Sequence, residues 1–487
     1  MKIRSVKFSA LMNTLFTCSN LLFGIIILPY VSRVLSVEGN GAVSFAQNAG
    51  MWISACCLLG IPTYGIRECA RVRDDPVALA TLVKELLTII TIITIPVMML
   101  FCCSIVLVPQ FAAERILMYV FAINALLTSF GVNWLFQGVE QYGYITGRNA
   151  VFKLISLFLI FLFVKHQNDY IIYGALLAFA TCASNIFNII HMNRIINWNY
   201  CGKINLKRHL KPIFYFSQTT LSGYVYTVLD VVLLGLLTSS TYQIGLYQLA
   251  AKIKTVTASV IVAASTATIP RLSYYNSHKN TRQFVSLVEK NIRLVFIVGL
   301  FATCLILLFP NAIIGIISSE KFLDAKDSLC ILSFVIILSS LNQVCINQIL
   351  IPLGQERKAA VPCIAAVFVS VPLNFFLDPI WGSVGASVAL LLAETVVFII
   401  SVFFCRHILF LIHWRNIIYE IILGAIISSV ITIFLAFFLN QINLYLSFVI
   451  SLCFFSCVFF VWLFLNKEEL TFGAVNSILE KLGLGKE

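Results

Sequence analysis

From Ser9 to Leu465 the chain passes through fourteen apolar stretches, separated by short breaks that hold most of the charges and turn residues. A hydrocarbon layer about 30 Å thick is crossed by ~20 apolar helical residues, and backbone inside it must satisfy its hydrogen bonds within its own helix. Such a pattern specifies an all-α polytopic membrane protein. The predicted spans are 9–32, 42–63, 86–107, 116–137, 150–164, 170–190, 213–237, 243–269, 294–317, 328–352, 359–377, 383–405, 416–439 and 444–465. The fifth is short because Lys153 lies near its start, so its helix is expected to begin earlier. Composition agrees: 60% of residues are hydrophobic and 11% charged, against roughly 25% charged in a soluble domain. A soluble enzyme, a nucleic-acid binder and a disordered chain are excluded. The 15 cysteines show no metal spacing and read as packing residues in helices. The first apolar stretch is too long for the core of a signal peptide.

Orientation follows from the Lys and Arg residues. Twenty-six of the 33 fall on the N-terminus, the even-numbered loops and the tail; Arg33, Arg115, Lys165, Lys321 and Lys326 are on the odd-numbered loops. Basic loops stay cytoplasmic, so both termini are expected inside. The tail after Asn466 places Val475, Ile478, Leu479 and Leu482 on one helical face, which suits an interfacial helix or a solvated tail.

The chain also resembles itself. Gly41, Phe45 and Ala46 match Gly245, Leu249 and Ala250 at an offset of 204; Ile61-Pro62 matches Ile269-Pro270 at 208; Tyr173-Gly174-Ala175 matches Val384-Gly385-Ala386 at 211. The expected plan is therefore an N-terminal six-helix bundle (1–190), a cytoplasmic linker (191–212), a second six-helix bundle (213–405), two appended helices (406–465) and a tail (466–487). Six is even, so the bundles are parallel repeats, an arrangement found in rocking transporters.

A charge at membrane depth costs at least ~2.5–3.5 kcal/mol and needs a reason. Asp230 and Lys252 lie at similar depths in spans 7 and 8, placed to pair across that hairpin or to line a cavity. Lys254 is about 200° round the helix from Lys252, at ~100° per residue. Glu394 sits near the middle of span 12 with no partner in its own helix, a candidate proton or cation site or a helix-packing group. By the repeat, Asn48 takes the place of Lys252. Arg33, Arg67, Arg148 and Lys153 are at span ends, where anchoring is the plainer role. Asn133, Gln137 and Glu140 fall on one i, i+4, i+7 face at the end of span 4. No Gly-rich phosphate loop is present, so the chain is not itself an ATPase. Catalytic constellations are absent from the sequence, and no cofactor is expected.

The stretch Trp134-Leu-Phe136-Gln137-Gly138-Val-Glu140, followed by Tyr144-Ile-Thr146 and Arg148, resembles a signature of Wzx-type polysaccharide (O-antigen) flippases. These belong to the multidrug/oligosaccharidyl-lipid/polysaccharide exporter superfamily. Pro29-Tyr30 with Arg33, Gly41-x-x-x-Phe45-Ala46 and Pro62-x-Tyr64-Gly65-x-Arg67-Glu68 are similar to the family too, as is Asp230 followed by Gly245-Leu-Tyr247 and Lys252-Ile253. The matches run from residue 9 to about residue 400.

The resemblance implies two bundles round a central cavity, alternating access, and a bacterial inner-membrane location. The implied cargo is an undecaprenyl-diphosphate-linked oligosaccharide moved from the cytoplasmic to the periplasmic leaflet. Arg33, Lys153, Lys252 and Lys254 would face the diphosphate through charge-assisted bonds. Asn48, Asn133, Gln137 and Tyr247 would meet sugars, with Glu140 and Asp230 also among the substrate-binding residues. Glu394 or Asp230 would couple transport to H+ or Na+. Membrane lipid, a polysaccharide polymerase and a chain-length regulator are the implied partners; nucleic acid is not. A cation-coupled multidrug exporter of the same superfamily remains an alternative, as does a membrane polysaccharide polymerase, although no odd-numbered loop has the length a polymerase needs.

Overall fold

Every described secondary-structure element of the computed structural model is helical; it describes residues 6–196, 198, 202, 204–266, 268–439, 444–466 and 468–473. In chain order the helices are α1 (Val6–Val34), α2 (Val37–Leu58), α3 (Ile61–Val72), α4 (Pro76–Leu107), α5 (Pro109–Ala113), α6 (Arg115–Ser129) and α7 (Asn133–Gly138). Next come α8 (Tyr142–Phe163), α9 (Tyr170–Ile195), α10 (Lys207–Tyr224), α11 (Asp230–Thr238), α12 (Thr241–Thr266), α13 (Ile269–Ser277) and α14 (Thr281–Leu308). Then follow α15 (Pro310–Ile317), α16 (Lys326–Gln343), α17 (Glu356–Trp381), α18 (Ser383–Leu409), α19 (Trp414–Ile417), α20 (Leu423–Leu439) and α21 (Leu444–Leu465). Π-helical turns at Val225–Leu229, Val344–Leu350 and Ile418–Ile422 join α10 to α11, extend α16 and join α19 to α20. Eleven helices are long and apolar enough to cross a membrane, thirteen if two bent pairs each count as one span. The protein is a multi-pass membrane protein.

Several span ends differ from the sequence reading, for a shared reason. Spans 3 and 9 begin ten or more residues earlier than their apolar cores. Asp75 Oδ1 accepts from the Val77 and Ala78 amides at 2.9 and 3.1 Å and starts α4 at Pro76; Asn280 caps α14 through the Gln283 amide at 3.2 Å. Side-chain caps satisfy otherwise orphaned amides and set where a helix begins, whatever the polarity of its first turns. The two Ile-Pro pairs likewise open short helices, α3 and α13, where they were expected to close spans. Proline is well suited to a first helical turn. Span 4 is broken into α6 and α7 at Val132, whose φ is 43°. Span 5 starts at Tyr142, ahead of Lys153, and span 11 continues to Trp381. The amphipathic face at Val475, Ile478, Leu479 and Leu482 lies outside the described residues.

Packing groups the chain into two units, Met1–Gln248 with Ser370–Ala386 and Leu249–Val369 with Ser387–Glu487. In the first, α2 and α12 cross with backbones touching. A Cβ on Gly41 would lie 1.7 Å from the Thr241 carbonyl oxygen, and one on Gly245 would lie 2.3 Å from that of Val37. Small residues allow such close approach in membranes, and these two glycines are the pair related by the 204-residue offset.

Each unit also buries a glutamate in the polar early turns of a long span. Glu85 on α4 accepts from the Asn205 amide at 2.6 Å, from His209 Nε2 at 2.9 Å and from Arg208. His209 Nδ1 bonds the Tyr64 hydroxyl at 2.7 Å, so the start of α10 is tied to α3 and α4. In the second unit Glu289 on α14, again 204 residues on, bonds Arg293 at 3.2 Å; Arg293 in turn reaches Glu420 at 2.7 Å and Glu468 at 3.5 Å.

Candidate functional site

Two buried acidic clusters and one polar seam stand out, each within a single unit. The first cluster begins where the π-helical turn Val225–Leu229 hands over to α11 at Asp230. Asp230 and Tyr247 are both buried. Tyr247, on the neighbouring α12, donates its hydroxyl to Asp230 Oδ2, while the Val231 amide donates to Oδ1 at 2.8 Å. The bond seen across this hairpin therefore comes from Tyr247, five residues before Lys252. On α17, Ser370, Asn374 and Asp378 recur at four-residue intervals, all fully or almost fully buried, while Phe375, Phe376 and Ile380 are exposed. Asn374 Nδ2 donates to the Ser370 carbonyl at 2.8 Å. Asn374 Oδ1 and both carboxylate oxygens of Asp378 are buried with no hydrogen-bond donor among the described residues. Asp378 is within electrostatic reach of Asp230 and Tyr247. Two carboxylates from different helices therefore share this buried region.

The second cluster is built on α18. Glu394 is buried and its Oε2 accepts from Asn342 Nδ2 on α16 at 2.6 Å; the same amide reaches the Glu394 carbonyl at 3.1 Å. Lys254 of α12 lies within electrostatic reach of this carboxylate. Here a single carboxylate has an amide donor and a nearby cation.

The polar seam runs between α6 and α9. Thr181 donates to Asn124 Oδ1 at 2.9 Å, Thr128 to the same oxygen at 3.2 Å, and Asn185 Nδ2 to the Thr128 hydroxyl at 3.2 Å. Further along, Asn133 Oδ1 accepts from Asn188 Nδ2 at 2.8 Å and Arg148 Nη2 at 3.3 Å. The Arg148 guanidinium lies 5.4 Å from the Tyr144 ring, which stacks on His191 at 4.2 Å. Its Nε and Nη1 are buried with no acceptor among the described residues.

The other sequence candidates are scattered. Arg33 is exposed in the last turn of α1. Asn48 is buried and donates to the Ser44 carbonyl of its own helix at 2.8 Å, which gives it a local role. The expected stripe of Asn133, Gln137 and Glu140 is broken. The short α7 ends at Gly138, Glu140 adopts φ 57°, and its carboxylate turns to Arg73 at 2.7 Å. Gln137 is half-buried. Lys153 is half-buried with its ammonium 5.3 Å from the Phe23 ring, and Lys252 is half-buried on α12. Among the described residues, no ion pair within 4.0 Å forms on Lys252 or Arg148. No group of three or more His, Cys, Asp or Glu suited to a metal occurs among the described residues.

Sequence reasoning missed Asp378 because it was placed in a loop, just past the apolar core of span 11. The signal that could have found it is the spacing Ser370, Asn374, Asp378. Thr181, Asn185 and Asn188 carry a comparable i, i+4, i+7 signal on α9.

The family described as polysaccharide biosynthesis protein matches residues 7–276, more than half of the sequence. The chain belongs to this family. The MatE family also matches residues 218–380. A protein of Escherichia coli (strain K12) named for O-antigen transport is 24% identical over 400 residues, covering 80% of this chain and 94% of that protein. A Haloferax volcanii protein named as a low-salt glycan biosynthesis flippase is 28% identical over 193 residues, 39% of this chain and 40% of that protein. Among solved structures, the lipid II flippase MurJ in an inward closed conformation matches with a TM-score of 0.71 at 12% identity, covering 95% of this chain and 99% of that one. The fold is therefore that of MurJ.

Proposed function

We propose that the protein moves a lipid-linked oligosaccharide with an anionic diphosphate head across the bacterial inner membrane, from the cytoplasmic to the periplasmic leaflet, without chemical change to the cargo. Family membership and relatives named for O-antigen transport and glycan flipping support the class. The observation that supports an anionic cargo is two half-buried cations on spanning helices, Lys252 and Arg148, that form no ion pair among the described residues. Cations attract phosphate strongly where water is scarce. Amides along the seam, with Gln137, supply the donors and acceptors that sugar hydroxyls require. Lys153, Lys254 and the exposed Arg33 add positive charge at other depths. The two six-helix repeats, 1–190 and 213–405, would rock about the 191–212 linker to alternate access, with both termini cytoplasmic. A polymerase and a chain-length regulator would use the delivered unit.

We further assign ion coupling to Asp230 and Asp378, with Asn374, as the place where H+ or Na+ enters; the unpartnered oxygens of Asn374 and Asp378 support this. Glu394 becomes the lesser candidate because an amide and a lysine already answer its charge. The deciding experiment deletes the gene and follows lipid-linked sugars. Loss of surface polymer with a single repeat unit accumulating on the cytoplasmic leaflet supports the flippase. Unchanged glycans with altered sensitivity to cationic drugs would shift the function to a multidrug exporter.

A further inference from the structure

The second unit holds an apolar groove of about 380 Å³ that neither acidic cluster uses. Its walls come from Ile292 and Phe296 of α14, Leu341 of α16, Cys345 of the π-helical turn that follows it, and Phe398 and Val402 of α18. Trp414 closes one end, its Nε1 donating to the Leu409 carbonyl at 2.7 Å, so the indole offers the groove its ring and not its polar edge. One formally charged group lines the groove, Arg406. It is exposed, and its guanidinium lies 4.8 Å from the exposed Phe403 ring. Among the described residues no carboxylate comes within 4.0 Å of it.

We infer that this groove is a binding site for a membrane glycerophospholipid with an anionic headgroup, one acyl chain lying in the groove and the phosphate on Arg406. An apolar slot ending at an unpaired cation matches an amphipathic anion. At roughly 30 Å³ per water-sized group, the volume holds about a dozen methylenes, the scale of one acyl chain and far short of a long polyprenyl tail. Arg406 is at the end of α18 that the Lys and Arg distribution assigns to the cytoplasmic face, where anionic lipid gathers basic residues. The site has a lever on transport: Phe398 is one helical turn from Glu394, and Leu341 and Cys345 flank Asn342 along α16. A chain seated in the groove braces the helix pair that carries the second buried carboxylate.

Brominated acyl chains quench tryptophan on contact, and Trp414 lines the groove. The signal is the fluorescence difference between wild-type protein and Trp414→Phe in phosphatidylcholine vesicles, titrated with brominated phosphatidylglycerol or brominated phosphatidylcholine. The anionic lipid is expected to half-quench Trp414 at a severalfold lower mole fraction than the neutral one. Arg406→Gln should abolish that preference and Arg406→Lys should keep it. Equal quenching by the two lipids in wild-type protein overturns the site without needing any variant at Arg406. A preference that survives in Arg406→Gln overturns the role of the guanidinium. Relief of quenching by a polyprenyl diphosphate at lower mole fraction than by phosphatidylglycerol would hand the groove to the tail of the cargo, and so also overturn the assignment.

Discussion

The two acidic clusters use the same material to opposite ends. Around Asp230 and Asp378 there are two carboxylates, a tyrosine hydroxyl and, on Asn374 and Asp378, acceptor oxygens with no donor among the described residues. Around Glu394 there is one carboxylate, with an amide at 2.6 Å and Lys254 within reach. A single helix, α12, contributes to both, giving Tyr247 to the first and Lys254 to the second. The lesson is that a buried carboxylate signals function chiefly when its surroundings leave the charge unanswered. A compensated carboxylate serves packing equally well.

Neutralising Asp378 should produce the largest effect. Asp378→Asn is expected to cut transport more than tenfold, a change worth at least about 1.4 kcal/mol, and to flatten its dependence on Na+ or pH. Protein levels in the membrane should hold. Counterflow of a lipid-linked oligosaccharide in vesicles, with and without an imposed ion gradient, measures this. If Asp378→Asn keeps its ion dependence and Glu394→Gln loses it, the contrast between the clusters is reversed.

Next comes Lys252→Ala, expected to lower export about tenfold by removing one charge-assisted phosphate contact, a loss of about 1.4 kcal/mol. Wild-type export in this variant would remove Lys252 from the cargo path.

A smaller effect tests compensation itself. Glu394→Gln and Lys254→Met should each reduce thermal stability, and together cost less than their sum, with a coupling of about 1 kcal/mol. Strict additivity in melting experiments would mean that Lys254 does not answer the charge on Glu394.

The smallest effect lies outside both clusters. Asp169 Oδ2 accepts from the His166 and Lys165 amides at 2.7 and 2.9 Å, which hold its carboxyl below the usual range. A lowered folded value means that the stabilisation is present above the ordinary carboxylate range and is lost as pH falls through the folded value. The melting difference between wild type and Asp169→Asn should therefore shrink toward acid pH. A constant difference would show that these two bonds do not depend on the charge.

The sequence determined that this chain is a helical, multi-pass membrane protein, and it located nearly all the spans. Partition of apolar side chains into hydrocarbon is roughly additive along a segment, so it can be read locally. Family resemblance came from motifs equally local, such as Trp134 to Glu140. The sequence also singled out Asp230 and Glu394 as exceptional residues, because charged groups in apolar runs are conspicuous, whereas Tyr247 came in only through the family resemblance. Tertiary structure decided which partners those residues meet. Asp378 looked like a loop residue until α17 carried it inward. Asn133 and Glu140 shared a helical face on paper, yet the left-handed turn at Val132 and the end of α7 sent them to different partners. Gly41 and Gly245 were markers of a repeat until packing set them against each other's helices. Burial and hydrogen bonding depend on residues far apart in the chain, and no local pattern encodes which side chain will stand opposite.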